Sequence, residues 1–441
     1  MSYRRKKLLA LFCATALSMT AVAGCTGTKS STGNVVSSET ETNAEETSAQ
    51  SEAGTFSSAD MFTERDLAGT YEESGAVYVT LSDDGIAGET DGVVIDGQMV
   101  TITAEGTYIF SGTLSEGQIV VDADNAKVQI VFDNVDITCA SSAAVYVKSA
   151  EKVFVTLAEG SQNTLRNTDE YVAIDDNNID AVIFAKSDLT LNGTGSLTIV
   201  SAEGHGIVSK DDLKITGGTY DITAAGHALS GKDSVRIADG TYTLATGDDG
   251  VHADDALIVN GGTITVTESY EGLEGLTVTI NDGTIDITAS DDGINTAGEK
   301  MELNGGYIHI LAGGDGVDSN GDLTINGGEI YIDGPSDNGN SAIDYGDRSS
   351  AYVNGGTLVA IGSSGMAEVM SDSSKQKVLM VKLGEQMEAG NVVLTDSEGN
   401  VIVSYTALKT YDCVIISTAE VESGATYTLT TSGTMTEVTA E

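Results

Sequence analysis

The sequence predicts an all-β protein built as a right-handed parallel β-helix with about 22 residues per coil. Strand-like segments such as 263–267 and 285–288 alternate apolar residues with threonine or another polar residue, which is the period of a strand. The chain has a single proline, Pro335, a residue that would interrupt the ladders of a sheet. A glycine pair or a variant of it also recurs between these segments, and its second member falls at Gly195, Gly218, Gly240, Gly262, Gly283, Gly306, Gly328 and Gly356.

The length and content of the repeat exclude the common alternatives. No repeat contains a helix-length segment with a period of 3.6 residues, which argues against leucine-rich repeats, and none reaches the ~40 residues of a propeller blade. One coil of about three short strands fits, with glycine at corners where φ must be positive. The longest interval, from Gly328 to Gly356, contains Pro335 and predicts a loop insertion in one coil.

The N-terminus has the pattern of an export signal over residues 1–25. Basic residues 4–7 precede an apolar stretch that ends in Val22-Ala23-Gly24-Cys25. Small residues that end in cysteine resemble a bacterial lipobox, which predicts lipidation of Cys25; an ordinary cleaved signal with an incidental cysteine is the alternative. We therefore expect an exported, cell-surface lipoprotein that touches the membrane only through its N-terminal lipid anchor.

The rest of the chain divides by composition into four parts. Residues 26–60 are rich in serine, threonine and glutamate and predict a disordered linker. Residues 61–116 predict an N-terminal β cap over the first coil, since open sheet edges aggregate. The β-helix is expected over 117–362 and an antiparallel C-terminal β cap over 363–441. Cys139 and Cys413 could pair or remain as buried thiols, and no cysteine spacing suggests zinc.

Alignment of the repeats places acidic residues in register along two ladders. The first ladder contains Asp249, Glu271, Asp292 and Asp315, and three residues later the second contains Glu274, Asn295, Asp318 and Asp344. Equivalent residues of successive coils lie ~4.8 Å apart. Two carboxylates at that distance repel by about 3 kcal/mol at an effective dielectric constant of 20. Lys300 is the only lysine or arginine between Thr246 and Asp347, so basic side chains do not compensate this charge.

The register of the acids predicts calcium. Ca²⁺ takes 6–8 oxygen ligands at ~2.3–2.6 Å, so carboxylates of adjacent coils can share one ion. No cluster rich in nitrogen or sulfur is expected, which argues against a transition metal. Acidic loops that only keep the protein soluble are the alternative, but scattered charge would not keep register. The expected ligands are Asp248, Asp249, Glu271, Glu274, Asp291, Asp292, Asn295, Asp315, Asp318 and Asp344.

The charge of the chain also restricts its partners. A formal net charge of −46 repels nucleic acid and anionic lipid. Calcium would reverse the sign locally and could bridge to a uronate carboxylate, and a long regular face fits an extended acidic or cellulosic polysaccharide. Tyr270 and Tyr345 lie near the acidic loops and could stack on sugar rings if they face outward. Tyrosines that only fill strands are the alternative.

With these motifs in place, the chain from about Gly117 onward resembles a bacterial family of carbohydrate-binding domain-containing proteins. The resemblance rests on the glycine corners and on the segments 248–251, 291–295, 315–321 and 341–347. It implies a calcium-binding parallel β-helix that attaches to plant cell-wall polysaccharide, including cellulose and polygalacturonate. Where family members carry acids in the first ladder, this chain has His205 and His227, which puts metal in those two coils in doubt.

The expected function is therefore calcium-dependent, non-catalytic polysaccharide binding, with two alternatives. The fold resembles that of pectate lyases, but a lyase needs a base such as Arg or Lys beside the calcium. The nearby candidates Lys210, Lys232, Arg236 and Lys300 do not recur beside the acidic ladders. A repeated row of similar acids also does not single out one glycosidase pair. The other alternative is an adhesin whose long face binds a protein.

Overall fold

The computed structural model describes residues 61–88, 90–346 and 348–440. The predicted export signal, the predicted lipid site Cys25 and the linker over 26–60 lie outside the described residues. Among the described residues, no helix is long and apolar enough to span a membrane.

The described chain confirms the predicted parallel β-helix, with about 11 turns and almost no helix. Each regular coil contributes one strand to each of three parallel sheets, which we name sheets A, B and C in the order in which the chain visits them. Long strands turn the corner between two sheets without ending, and they belong to both.

Sheet A carries the second acidic ladder. Its strands are β3 (Met99–Ile102), β5 (Gln118–Asp122), β7 (Val145–Ser149), β10 (Ala181–Ala185), β13 (His205–Ser209), β16 (Leu229–Gly231), β19 (Val251–Val259), β21 (Leu273–Ile280), β23 (Ile294–Leu303), β25 (Val317–Ser319) and β28 (Ile343–Tyr345).

Sheet B follows sheet A in each coil and includes the second halves of β19, β21 and β23. Its other strands are β1 (Val77–Leu81), β4 (Gly106–Leu114), β6 (Lys127–Thr138), β8 (Lys152–Leu157), β11 (Asp188–Gly193), β14 (Asp212–Ile215), β17 (Ser234–Ile237), β26 (Asp322–Ile325) and β29 (Ala351–Val353).

Sheet C closes each coil and includes the second halves of β4 and β6. Its other strands are β9 (Gln162–Asn167), β12 (Ser196–Ser201), β15 (Thr219–Ala224), β18 (Thr241–Thr246), β20 (Thr263–Glu268), β22 (Thr284–Ala289), β24 (Tyr307–Ala312), β27 (Glu329–Asp333) and β30 (Thr357–Gly362).

The core of the solenoid is a set of aliphatic stacks that run from coil to coil. In sheet B, Leu257, Val278, Met301 and Leu323 occupy one register and are fully buried. Apolar burial of this kind contributes roughly 25 cal/mol per Å². Because inward and outward side chains alternate along a strand, the same pattern fixes which polar residues face solvent.

The corner between sheets B and C explains the recurring glycines. Gly262 has φ +89°, and a Cβ there would lie 2.8 Å from the carbonyl oxygen of Gly240 in the preceding coil. Both the backbone conformation and the close stacking therefore require glycine. The first predicted position differs, because the positive φ falls at Gly193 and not at Gly195.

The asparagine that precedes many of these glycines forms a ladder of side-chain amides. The amide of Asn281 donates to Asn260 at 2.7 Å, that of Asn304 to Asn281 at 2.8 Å and that of Asn326 to Asn304 at 2.7 Å. Each amide thus satisfies its neighbour in the next coil, which explains why asparagine recurs at this corner.

The N-terminal segment differs from the predicted cap over 61–116. Parallel pairing begins upstream of Gly117, since β1 pairs with β4 and β3 pairs with β5. Strand β2 (Val93–Asp96) forms a hairpin with β3. Helix α1 (Glu64–Ala68) lies against sheet B, where its fully buried Asp66 binds Lys152 at 2.6 Å and accepts the hydroxyl of Thr190 at 2.7 Å. This segment straps several coils together along one face.

The C-terminal segment is antiparallel. Strand β34 (Tyr411–Ser417) pairs with β30 and with β31 (Leu379–Met387). Strands β33 (Val401–Ala407), β32 (Gly390–Thr395), β35 (Thr426–Thr431) and β36 (Thr434–Thr439) form a separate sheet in that order. Their apolar side chains cover Val359 and Ile361 of the last coil. Cys139 and Cys413 are buried free thiols.

Candidate functional site

The acidic residues lie at the corner where sheet C ends and sheet A begins. The residue after each acid of the first ladder is a glycine, and the backbones of adjacent coils are in close contact there. A Cβ at Gly272 would lie 2.3 Å from the carbonyl oxygen of Gly293, and one at Gly250 would lie 2.6 Å from that of Gly272. The glycines therefore allow adjacent coils to stack closely and keep the acids in register.

The register is the one that the sequence predicts. In sheet A, Glu274 pairs with Asn295, Asn295 with Asp318, and Asp318 with Asp344. In the first ladder, the amide of each following glycine donates to the carbonyl of the acid in the next coil, as Gly272 does to Asp292 at 3.0 Å. Two parallel columns of polar side chains thus run along one edge of the solenoid.

Asp292, Asp315 and Asp318 form one compact group, which we name the Asp315 cluster. One carboxylate oxygen from each lies within 4.8 Å of the others. The backbone N–H of Asp315 donates to Asp292 Oδ1 at 2.7 Å, and that of Ser341 donates to Asp315 Oδ1. The second oxygen of each of these two carboxylates is available to a further ligand.

The Asp315 cluster is electrostatically unfavourable in the absence of a cation. Burial, together with the neighbouring carboxylates, raises the pKa of Asp315 to about 7. The same causes raise the pKa of Asp292 and of Asp318 to about 6. Near neutral pH these groups therefore compete for protons or require a cation between them.

Asp249, Glu271 and Glu274 form a second group, the Glu271 cluster, and their ligand atoms also lie within 4.8 Å of one another. Burial and the charges of Glu274 and Asp249 raise the pKa of Glu271 to about 8. Asn295 donates to Glu271 Oε2 at 2.9 Å.

Asn295 supplies an independent sign that an ion fits this edge. Its Oδ1 is buried and has no hydrogen-bond partner among the described residues. An unsatisfied buried oxygen costs about 1–3 kcal/mol, and a cation would relieve that cost. Carboxylate and amide oxygens are the ligands that Ca²⁺ prefers, so the donor set fits calcium.

Three other predicted ligands lie beside the clusters and not within them. Asp248 is half-exposed, and its Oδ2 is 3.8 Å from Nε2 of His227. Asp291 lies near the Tyr270 hydroxyl, and its charge helps to raise the pKa of that tyrosine. Asp344 accepts the N–H of Tyr345 at 2.9 Å, and its charge contributes to the raised pKa of Asp315.

The histidines are where the structure departs from the sequence analysis, which expected no cluster rich in nitrogen. Asp249 Oδ2 lies 3.1 Å from Nδ1 of His227 and 3.1 Å from Nδ1 of His252. The imidazole rings of His205, His227 and His252 stack with centroid separations of 4.7 and 4.5 Å. His227 and His252 belong to different ladders, so alignment along each ladder does not show that they are neighbours. His227 and His252 are 25 residues apart, which is one coil plus the offset between the ladders. This spacing is the sequence signal that could have predicted their contact.

His252 forms an ion pair with Asp249 and Glu274. Burial alone would lower the pKa of His252, but hydrogen bonds with Asp249 and Glu274 raise it to about 10. Burial alone would raise the pKa of Asp249, but its bonds to His227 and His252 hold it well below its usual value. Without a metal ion, a protonated His252 therefore holds the two carboxylates together.

The two predicted sugar-stacking tyrosines have different environments. Tyr270 is 48% exposed beside the acidic edge. Tyr345 is half-buried against the core, and its hydroxyl donates to the carbonyl of Val369 at 2.8 Å. Tyr220 and Tyr242 are fully buried and stack on each other, so they cannot contact a sugar.

The candidate bases of a lyase are placed in other parts of the coil. Arg236 lies in sheet B, 3.6 Å from Asp212, and Lys300 lies in the sheet B part of β23, 2.9 Å from Glu302. Lys210 follows the end of β13, at the corner between sheets A and B, and its ammonium lies 5.4 Å from the ring centroid of Phe184.

Comparison with known proteins identifies the family of the chain. A carbohydrate-binding domain-containing protein of Acetivibrio thermocellus is 42% identical over 135 residues, which are 30% of this chain and 47% of that protein. The chain thus matches about half the length of this relative. A solved structure, the gadolinium derivative of the polysaccharide lyase-like protein from C. thermocellum, has 27% identity and a TM-score of 0.43 over 63% of this chain and 99% of that chain. The family model of the carbohydrate-binding domain-containing proteins matches residues 96–256 and 246–422. The chain therefore belongs to the carbohydrate-binding domain-containing protein family.

Proposed function

We propose that the protein binds polysaccharide without cleaving it, and that calcium held at the edge between sheets C and A is required for this binding. Family membership supports the carbohydrate ligand. The observation that carries the role of calcium is the Asp315 cluster, in which three partly buried carboxylates converge and have pKa values of about 6 to 7.

The Asp315 cluster is the better of the two calcium candidates. Its three carboxylates offer oxygen ligands only, as Ca²⁺ prefers, and the charges of Asp291 and Asp344 also act on its pKa values. The Glu271 cluster is the second candidate, with Asn295 beside it, but it also borders the histidines. We expect the half-exposed Asp248 to contact an ion only through water.

An acidic or cellulosic polysaccharide is the proposed ligand. Bound calcium would offer open coordination positions to the carboxylates of a polyuronate, and the exposed Tyr270 beside it could stack on a sugar ring. The repeat sets neighbouring ions at the ~4.8 Å strand spacing or multiples of it, which suits a linear polymer.

We also propose that the protein is exported and held at the cell surface by lipid on Cys25. The basic and apolar N-terminal pattern supports this location. Extracellular calcium sites bind in the 10⁻⁴–10⁻³ M range, so an exported protein would meet the ion at a suitable concentration.

The function is tested by titrating the signal-free chain, residues 26–441, with polygalacturonate and with soluble cello-oligosaccharides in a calorimeter. We expect heat of binding in calcium and none in chelator, with no ultraviolet absorbance from an unsaturated product. The variant Asp318→Asn should lose calcium-dependent binding. Asp221→Asn, which removes one charge from an exposed position of sheet C, is the matched control and should bind normally.

Three outcomes would change the conclusion. Unsaturated product would make the protein a lyase and would direct attention to Arg236 or a lysine as the base. Binding that persists in chelator would remove calcium from the mechanism. A folded protein that binds calcium but no polysaccharide would favour an adhesin with a protein partner.

A further inference from the structure

At one end of the edge that holds the two acidic clusters, histidines lie among the carboxylates. Four side chains meet there: His227, Asp249, His252 and Glu274. His252 Nδ1 lies 3.1 Å from Asp249 Oδ2 and 2.5 Å from Glu274 Oε2, and His227 Nδ1 lies 3.1 Å from the same oxygen of Asp249. Two imidazole nitrogens and two carboxylates thus form one group.

The separations of the two histidine nitrogens from Asp249 fit a tetrahedral metal site. In a site with Zn–N and Zn–O distances of about 2.0–2.1 Å, neighbouring ligand atoms lie about 3.3 Å apart. The two histidine–Asp249 distances are close to this edge length. The three ligand atoms of His227, Asp249 and His252 all lie within 4.8 Å of one another, so a small shift of side chains would enclose one ion.

The hydrogen bonds orient both histidines for metal binding. His227 Nδ1 lies 3.2 Å from the backbone nitrogen of Asp249 and can accept its N–H when unprotonated, which is the form that a metal ligand must have. His252 Nε2 lies 3.2 Å from Asp254 Oδ1. A ligating histidine usually donates its second N–H to a carboxylate, which fixes the ring and makes the first nitrogen a better ligand.

The ligand types distinguish this group from the Asp315 cluster. Imidazole nitrogens favour zinc and other late transition metals, whereas carboxylates and carbonyls favour calcium and magnesium. The Asp315 cluster shares no residue with the histidine group. Asp249 and Glu274 also belong to the Glu271 cluster, and because a carboxylate has two oxygens, each can contact an ion on either side.

We propose that one divalent transition metal ion of the zinc class binds to His227, Asp249, His252 and Glu274. The edge then has two sites that select different metal ions. This site does not depend on the proposed function, because neither polysaccharide nor the Asp315 cluster takes part in it. An ion there would take the place of the hydrogen bonds that His252 Nδ1 makes with Asp249 and Glu274.

The proposal is tested with Co²⁺ as the spectroscopic probe and the signal-free chain in calcium-containing buffer. We expect one Co²⁺ per chain with the intense visible bands of four-coordinate cobalt, displaced by one equivalent of Zn²⁺ and retained in millimolar calcium. The variants His227→Asn and His252→Asn should each lose these bands. His309→Asn should keep them, because His309 lies in sheet C between Asp286 and Asp333, outside this group.

A second measurement keeps the test independent of the variants. In the unmutated protein loaded with Co²⁺, exchangeable imidazole N–H resonances should appear at paramagnetically shifted positions in the proton spectrum. Asp318→Asn should weaken calcium binding and leave the cobalt bands unchanged, which separates this site from the calcium proposal.

The proposal is overturned if cobalt shows only weak six-coordinate bands or if the shifted imidazole resonances are absent. It is also overturned if both histidine variants retain the bands, or if millimolar calcium displaces the cobalt. In those cases the histidines only neutralise Asp249 and Glu274 at the end of an oxygen-ligand edge.

Discussion

The repeat makes the charge of single acidic residues unfavourable, as it does for Asp292, Asp315 and Glu271. Each acid sits one coil from the next, each is largely shielded from water, and each has a raised pKa whose first cause is burial. A solvated acid at the same position of an isolated loop would have an ordinary pKa near 4. The stacking of coils therefore converts common surface acids into groups that bind either protons or cations.

Because of these shifts, we expect the metal-free protein to lose stability as the pH rises from 5 to 8. The folded state holds protons on these acids up to pKa values of about 6, 7 and 8, whereas the unfolded state releases them near pH 4. The folded state thus binds more protons in this window, so the free energy of unfolding falls as the pH rises. Thermal unfolding in chelator measures this slope, and added calcium should raise the melting temperature most at pH 8.

The variant Asp315→Asn should flatten the pH profile in chelator and reduce the effect of calcium. Asp221→Asn, at an exposed position of sheet C, should leave both unchanged. A melting temperature that rises between pH 5 and 8 in chelator would contradict the assignment of these raised pKa values.

At the scale of elements, the segment around α1 acts as a strap on sheet B. Asp66 is fully buried and accepts hydrogen bonds from Thr63 and Thr190, and it forms an ion pair with Lys152. Further along the solenoid, the carbonyl oxygen of Asp66 accepts hydrogen bonds from Thr216 and from Asn192. One short helix thus links several coils, in addition to their ladders and apolar stacks.

Removing one partner of this buried ion pair should be costly. We expect Asp66→Ala to lower the free energy of unfolding by about 3–5 kcal/mol, because it leaves the Lys152 ammonium buried without a counter-charge. The matched control is Glu151→Ala, which removes the exposed ion pair with Lys127 and should cost about 1 kcal/mol or less. Urea unfolding followed by circular dichroism compares the two. Equal costs would show that the strap does not stabilise the solenoid.

At the scale of the whole molecule, a solenoid has two ends that must be covered. The C-terminal strands provide one cover: β34 pairs antiparallel with β30, and the apolar side chains of β32 and β35 close over Val359 and Ile361. An open strand edge above an uncovered apolar layer would pair with other copies of the chain. The antiparallel segment therefore ends the repeat and protects its last coil.

A chain truncated after Gly362 should self-associate, because it exposes the edge of β30 together with Val359 and Ile361. Light scattering coupled to size-exclusion chromatography measures this directly. Replacing both residues with lysine in the truncated chain should restore the monomer by placing charge on the exposed face. A truncated chain that remains monomeric without these lysines would show that the C-terminal segment is not a cover.

The sequence by itself determined the repeat architecture and its register. Strand alternation, the glycine corners and the interval of about 22 residues predict the stacked coils, and the pairing of Glu274, Asn295 and Asp318 follows directly from that interval. A coil stacks in only one register because a shift by one residue would turn its apolar side chains outward. The acidic columns follow from the same constraint.

The tertiary structure decided what lies between the ladders and what covers the repeat. The contact of Asp249 with His227 and His252 joins residues of two ladders, and it depends on how the corner turns each side chain. The strap around Asp66 does not repeat, so no period predicts where it packs. Periodicity specifies neighbours along a ladder, whereas corner geometry and non-repeating segments select contacts across ladders, and these contacts create the mixed nitrogen and oxygen site.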